Sequence, residues 1–151
     1  MGVTVSGLFI PTWTDILDTT QLAIDLDLET HKLAMFTNTI TPNFSTDTAY
    51  GVAPYNANEV SGTGYTAGGH EVTTTALSES PTGTLMWDAA DWSRSSSTIT
   101  NARCALIYAD ALAGNNAIVL VDFDADYSTV SGTFTIQWAS TGILNFDLTP
   151  A

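Results

Sequence analysis

Short runs in which apolar and polar residues alternate occur along most of the chain. In 22–28 the leucines and Ile24 share one face, and in 132–138 Phe134, Ile136 and Trp138 do the same. Alternation with a period of two is typical of strands in an antiparallel sheet that is buried on one side. The segments predicted to be strands are 22–28, 33–36, 71–76, 84–88, 102–108, 117–123, 132–138 and 143–148.

Turn-forming residues separate these runs, as in Ser80-Pro-Thr-Gly83 and Gly114-Asn-Asn116. The polar stretch Glu29-Thr-His-Lys32 is predicted to join the first two strands as a hairpin. Many short strands with such spacing predict an all-β fold, an antiparallel β-sandwich of the jelly-roll or immunoglobulin-like kind. We expect at most one or two short helices, the first at Thr12–Leu17 behind Pro11.

The domain organisation follows from length and composition. A chain of 151 residues is long enough to bury one sizeable core, and neither an internal repeat nor a linker is visible. We therefore predict a single β-sandwich domain over residues 1–151, with 1–20 as a candidate N-terminal arm. The polar, turn-rich stretch 37–57 is expected to be the least ordered part.

Charge narrows the classes of partner. Three basic residues stand against sixteen acidic ones, which gives a net charge of −13. So few cations argue against binding to nucleic acid or to anionic membranes, and they favour a neutral or basic partner surface. We also see no apolar run near the ~18 residues that a membrane-spanning helix needs. Cys104 is the only cysteine and lies in an apolar run, so a buried, unreactive thiol is expected.

Four glycines lie between Gly62 and Gly69, which raises the question of a phosphate-binding loop. Such a loop follows a buried strand, begins a helix and, in its best-known form, ends in Lys-Ser/Thr. Here the preceding segment is polar, the following one reads as a strand, and no Lys-Ser/Thr is present. The glycines therefore predict a structural loop that uses positive φ and close backbone approach.

Other candidate chemistry is weak. His31 and His70 are isolated and are predicted to be solvated loop residues, and no G-x-S-x-G nucleophile motif accompanies them. Asp122, Asp124 and Asp126 have the spacing that begins an EF-hand loop, but its glycine and its closing glutamate are missing. An extended strand would place the three carboxylates on one solvated face. We predict no catalytic, cofactor-binding or metal site, although a carboxylate dyad of the glycosidase kind stays open.

Several segments, taken in order, resemble a family of small structural proteins of tailed-bacteriophage virions. The similar segments are Ile24–Phe36, Asn58–Gly69, Ala102–Tyr108, Val121–Phe123, Gly132–Trp138 and Gly142-Ile143. The resemblance extends from about residue 20 to the end, whereas 1–20 departs from it. It implies that Glu59, Val60 and Tyr65 anchor the glycine-rich bend.

The same resemblance implies a function. We expect a non-enzymatic virion protein that needs no cofactor: a capsid cement or decoration protein on the outer face of the head. It would be a homotrimer that contacts the major capsid protein or other virion proteins and is assembled in the cytoplasm of a bacterial host. The alternative is a tail or fibre module that binds a host surface, with Trp13, Tyr50 and Tyr55 meeting carbohydrate. In either case the apolar Leu8, Phe9, Ile10 and Trp13 are expected to be buried, under the chain's own sheets or against a neighbour.

Overall fold

The computed structural model describes residues 2–80 and 83–149. Within these ranges the chain forms ten strands and one short helix, so the all-β prediction is confirmed. The elements are β1 (Gly7–Leu8), α1 (Ile10–Leu17), β2 (His31–Phe36), β3 (His70–Val72), β4 (Ala76–Glu79), β5 (Thr84–Asp88), β6 (Trp92–Ser97), β7 (Ala102–Tyr108), β8 (Ala117–Tyr127), β9 (Gly132–Ile136) and β10 (Leu144–Asp147). Pro81 and Thr82 of the predicted Ser80–Gly83 turn lie outside the described residues.

The strands form three antiparallel sheets in a sandwich-like arrangement. The largest sheet has the order β1-β8-β7-β2-β3, and the two smaller ones have the orders β10-β5-β4 and β6-β9. In the large sheet, Leu106 of β7 lies between Ala34 of β2 and Leu120 of β8. The strands β2, β7 and β8 are its centre.

This central sheet is buried on both faces, which differs from the one-sided pattern that alternation predicted. On one face, Leu33 and Ile107 pack with Trp87 of β5 and with Phe134 and Ile136 of β9. The two smaller sheets thus cover this face. Near-continuous apolar runs in β2 and β7 are what a strand buried on both sides requires.

Two irregular segments cover the opposite face. Phe9 of the N-terminal segment, together with Ile40 and Tyr55 of 37–57, packs on Phe36 and on other side chains of the same face. The stretch expected to be least ordered has no helix or strand, yet its Ile40, Ala49 and Tyr55 are buried in the core. Irregular backbone is used here as a layer of the structure.

The predicted strand 22–28 does not form, so the predicted hairpin is wrong. Asp25 Oδ1 accepts the N–H groups of Asp27 and Leu28 at 3.0 Å, which closes a turn. Leu26 is buried, and its carbonyl accepts the indole N–H of Trp87 at 2.7 Å. The alternation correctly predicted that Leu26 points inward. Its carbonyl, however, is bound by the Trp87 side chain and not by a neighbouring strand. β2 pairs instead with β7 and β3.

Other boundaries also differ from the prediction. The run 71–76 is divided between β3 and β4, because Thr74 has φ +56° and interrupts the ladder. β6 was missed because Trp92-Ser-Arg-Ser-Ser-Ser97 has no apolar alternation. β8 continues to Tyr127, and α1 begins at Ile10 because a proline is tolerated in a helix's first turn.

Candidate functional site

The glycine-rich segment folds against the free part of the β2 edge. Val60 N–H donates to the carbonyl of Met35 at 2.9 Å, and Glu59 forms an isolated antiparallel bridge with Phe36. At the other end, β3 pairs with β2 from His70 onward. Residues 61–69 are therefore a loop whose two ends lie on the same strand edge.

Two of the glycines are required by close backbone contact. Gly69 has φ +81°, and a Cβ there would meet the carbonyl oxygen of Leu33. Gly62 has φ +135°, and a Cβ there would meet the carbonyl oxygen of Thr98. These positions bring the loop against β2 and against the segment after β6, as the structural interpretation of the glycines predicted.

The carboxylate of Glu59 lies inside this loop and accepts three hydrogen bonds. The hydroxyl of Tyr50 donates to Oε2 at 2.8 Å, the hydroxyl of Tyr65 donates to Oε1 at 2.6 Å, and Gly68 N–H donates to Oε1 at 2.8 Å. Tyr108 joins them, since its hydroxyl donates to the carbonyl of Gly68 at 2.7 Å. We call these five residues the Glu59 cluster.

Tyr65 also completes the hydrogen bonding of the central sheet. Its phenol oxygen accepts the N–H of Met35 at 2.9 Å while its O–H donates to Glu59. Tyr50 and Tyr108 stack with ring centroids 4.5 Å apart and nearly parallel planes. The geometry thus confirms that Glu59, Val60 and Tyr65 anchor the bend.

Three donors of this loop region that could bind a phosphate, the hydroxyls of Tyr50 and Tyr65 and the N–H of Gly68, instead donate to Glu59 of the same chain. Burial, followed by the hydrogen bond to Glu59, raises the pKa of Tyr50 to about 12. The same two causes raise the pKa of Tyr65 further. Both phenols therefore stay protonated and donate to the carboxylate over the whole physiological range.

The histidines lie in different places from those predicted. His31 is the first residue of β2 and is fully buried, with Nε2 2.9 Å from the carbonyl of Asp25 and no partner for Nδ1 among the described residues. His70 is half-buried, with its ring against Tyr65 and Trp92. Burial lowers the pKa of both imidazoles, so both are neutral at pH 7. The prediction of solvated loop residues is wrong for His31. It is also wrong for His70, which begins β3 and whose Nε2 is buried without a hydrogen-bond partner among the described residues.

The three aspartates of β8 do not share one face. Asp122 makes an ion pair with Arg103, at 2.8 Å between Oδ1 and Nε, and its side chain is almost wholly buried. Asp124 has φ +64°, which breaks the alternation, and Asp126 is exposed. Over residues 2–80 and 83–149, no group of three or more His, Cys, Asp or Glu side chains could hold a metal ion.

The aromatic residues suggested for carbohydrate binding are engaged within the chain. Tyr55 is buried beside Phe9, and Tyr50 belongs to the Glu59 cluster. Trp13 packs on Phe146 with ring centroids 4.9 Å apart, and its indole N–H donates to a backbone carbonyl of β8. Tyr55 is therefore not available to a ligand at the surface.

The N-terminal segment divides its apolar side chains between core and surface. Phe9 is fully buried, as expected, whereas Leu8 and Trp13 are half-buried. The chain's own sheets do not bury Ile10, which is 55% exposed, and Leu17 is 82% exposed, although both are large and apolar. Because seven residues make about two turns of a helix, Ile10 and Leu17 lie on the same side of α1. We call this the outer side of α1.

An open groove of about 590 Å³ lies between the second half of β8 and β9. Its lining residues are Val121, Asp122, Phe123, Tyr127, Ser128, Thr129, Thr133, Phe134, Thr135, Ile136, Gln137 and Trp138. We call it the β8–β9 groove. Sequence reasoning missed it, because alternation shows which face of a strand is buried and does not show which edge stays unpaired.

Comparisons with protein-family models, with curated proteins and with solved structures found no match to this chain. In the part of the chain that the structure describes, no helix is both long and apolar enough to cross a membrane.

Proposed function

We propose that this chain is a non-enzymatic structural protein of a tailed-bacteriophage virion, a capsid decoration or cement protein that binds the outer face of the head. The proposal starts from the order of the segments that resemble such proteins, among them Asn58–Gly69 and Gly132–Trp138. A homotrimer that contacts the major capsid protein is the form we propose.

The observation that carries the proposal is the outer side of α1. Ile10 and Leu17 present apolar surface on a protein whose net charge is −13. Burying such a side chain against a partner stabilises the complex by roughly 1.5–3 kcal/mol. In a trimer three copies of this contact act together, so a weak single contact is sufficient for firm attachment.

Electrostatics supports a protein partner on the outside of the head. All three basic side chains are engaged by the chain itself: Lys32 with Asp110 at 3.1 Å, Arg103 with Asp122, and Arg94 with the carbonyl of Gly64. The remaining acidic surface repels DNA and attracts basic protein surfaces, whereas a neutral surface is not repelled.

The proposal is tested first by location. Quantitative mass spectrometry of purified virions should find on the order of hundreds of copies per particle, because symmetric capsids repeat each site many times. A few copies per virion would favour a tail or fibre module instead. Absence of the chain from purified virions would refute the proposal.

The contact surface is tested by variants with a matched control. The double variant Ile10→Gln/Leu17→Gln should keep the wild-type melting temperature and lose at least about tenfold in affinity for heads that lack the protein. The control Leu28→Gln/Val130→Gln changes two side chains that are each 84% exposed elsewhere, and it should bind normally. Normal head binding by both double variants would show that α1 is not the contact.

A further inference from the structure

β9 has a hydrogen-bonded neighbour on only one of its edges. Among the described residues it pairs with β6 alone, with Trp92 opposite Ile136 and Arg94 opposite Phe134. The second edge of such a strand presents alternate N–H and C=O groups that have no ladder partner. An unpaired edge of this kind is a template for an added strand.

The β8–β9 groove lies along that free edge. Successive side chains of a strand point to opposite faces, yet the six consecutive residues Thr133–Trp138 all line the groove. A groove on one face would be lined by alternate residues only. No residue of β6 lines it, which places the groove on the edge away from β6.

The free edge is held in position by buried neighbours. Phe134 and Ile136 are each 6% exposed and pack into the core. In the connection between β8 and β9, the N–H of Thr129 donates to the carbonyl of Ile99 at 2.8 Å, and its hydroxyl accepts the N–H of Ile99. β9 is thus packed and its approach is hydrogen-bonded before anything binds, and a preformed edge lowers the entropy cost of adding a strand.

Two exposed carboxylates lie on β8 next to the groove. Asp124 and Asp126 are exposed on the stretch of β8 between the two groove-lining aromatics Phe123 and Tyr127. Arg103 makes its ion pair with Asp122. Asp124 and Asp126 act on Arg103 only through longer-range electrostatics, and neither makes an ion pair of its own among the described residues. None of the lining residues is basic.

We propose that the β8–β9 groove binds an extended peptide segment of a partner protein. The segment adds to the free edge of β9 as a further strand, and it carries Lys or Arg opposite Asp124 and Asp126. Main-chain hydrogen bonds supply affinity in this mode of recognition, and alternate side chains supply specificity. The aromatic rings of Phe123 and Tyr127 pack on the apolar side chains of the segment.

The probe is the acetylated, amidated peptide Lys-Thr-Val-Thr-Val-Thr-Val-Lys with a fluorescent label, titrated with the full chain by anisotropy. Two matched peptides accompany it: one N-methylated at alternate residues, and one with Glu in place of Lys. We expect the N-methylated peptide to bind at least about tenfold more weakly than the unmodified Lys peptide, because it loses about two main-chain hydrogen bonds. Amide shifts on binding should concentrate in 132–138 of ¹⁵N-labelled protein.

Charge variants test the selection. Asp124→Asn/Asp126→Asn should abolish the preference for the Lys peptide over the Glu peptide. The control Asp27→Asn/Glu71→Gln removes the same charge from two other exposed positions and should keep the preference.

Four results would overturn the proposal. The first is that the Lys peptide does not bind at concentrations up to about 1 mM, the weak end of specific binding. The second is that N-methylation does not change its affinity. The third is that the amide shifts lie outside β9. Lastly, the chain alone associates through β9, seen as concentration-dependent shifts of its amides, which would make a second copy the occupant.

Discussion

The substitution Tyr65→Phe tests whether the Glu59 cluster stabilises the fold. It removes one oxygen atom that makes two hydrogen bonds, one to a carboxylate and one from the N–H of Met35. A hydrogen bond to a charged group contributes about 1.5–3 kcal/mol, and a buried N–H left without a partner costs about 1–3 kcal/mol. Because Tyr65 is only half-buried, water compensates in part and the lower ends apply, which sum to about 2.5 kcal/mol.

Thermal unfolding measures this effect directly. For a domain of this length about 1 kcal/mol shifts the melting temperature by ~2–4 °C, so we expect a decrease of about 5–10 °C. The amide proton of Met35 should also exchange faster with solvent, since its acceptor is gone. The control Tyr127→Phe removes a hydroxyl from a residue that is 52% exposed and should cost less than about 0.5 kcal/mol. If Tyr65→Phe melts within about 1 °C of wild type, the cluster does not stabilise the fold in the way argued.

Three further predictions concern single residues. Gly69→Ala should destabilise the chain by several kcal/mol more than the control Gly51→Ala. The two glycines have nearly the same φ, +81° and +82°, but only at Gly69 would the added Cβ meet a carbonyl oxygen, that of Leu33. Equal denaturant midpoints for the two variants would contradict this. Burial lowers the pKa of His31, so its contribution to stability is complete above the unfolded pKa, near 6.5, and is progressively lost below it. The difference in unfolding free energy between wild type and His31→Gln should therefore shrink from pH 7.5 to 5.5, by up to about 1.4 kcal/mol per pH unit. A constant difference would refute the assignment. Burial raises the pKa of Cys104 to about 12, so its thiol should react with a disulfide reagent only as fast as the protein unfolds. Rapid labelling of the native chain would show that the thiol is accessible.

Several features of the fold could be predicted from the sequence because they depend on local pattern. The runs at 84–88 and 102–108 have the bounds of β5 and β7, since bounded apolar runs form strands wherever they pair. The burial of Cys104 and the structural use of Gly69 also followed from neighbouring residues. Each of these predictions needs only the residues within a few positions.

Other features of the fold depended on contacts between segments that are distant in the sequence. Asp25 closes the turn at 25–28 locally, but Trp87, far away in sequence, binds the carbonyl of Leu26 in the place of a neighbouring strand. β6 exists because β9 pairs with it, although its own sequence carries no strand pattern.

What the sequence by itself determined is the all-β class, most of the strands and the acidic surface, because alternation, turn residues and charge are local properties. Only the tertiary structure decided that both faces of the central sheet are covered, that Glu59 collects three donors, and that Ile10 and Leu17 face outward from α1. The physical reason is that edges, partners and exposure depend on which distant segments meet. A period of two along one strand carries no information about that meeting.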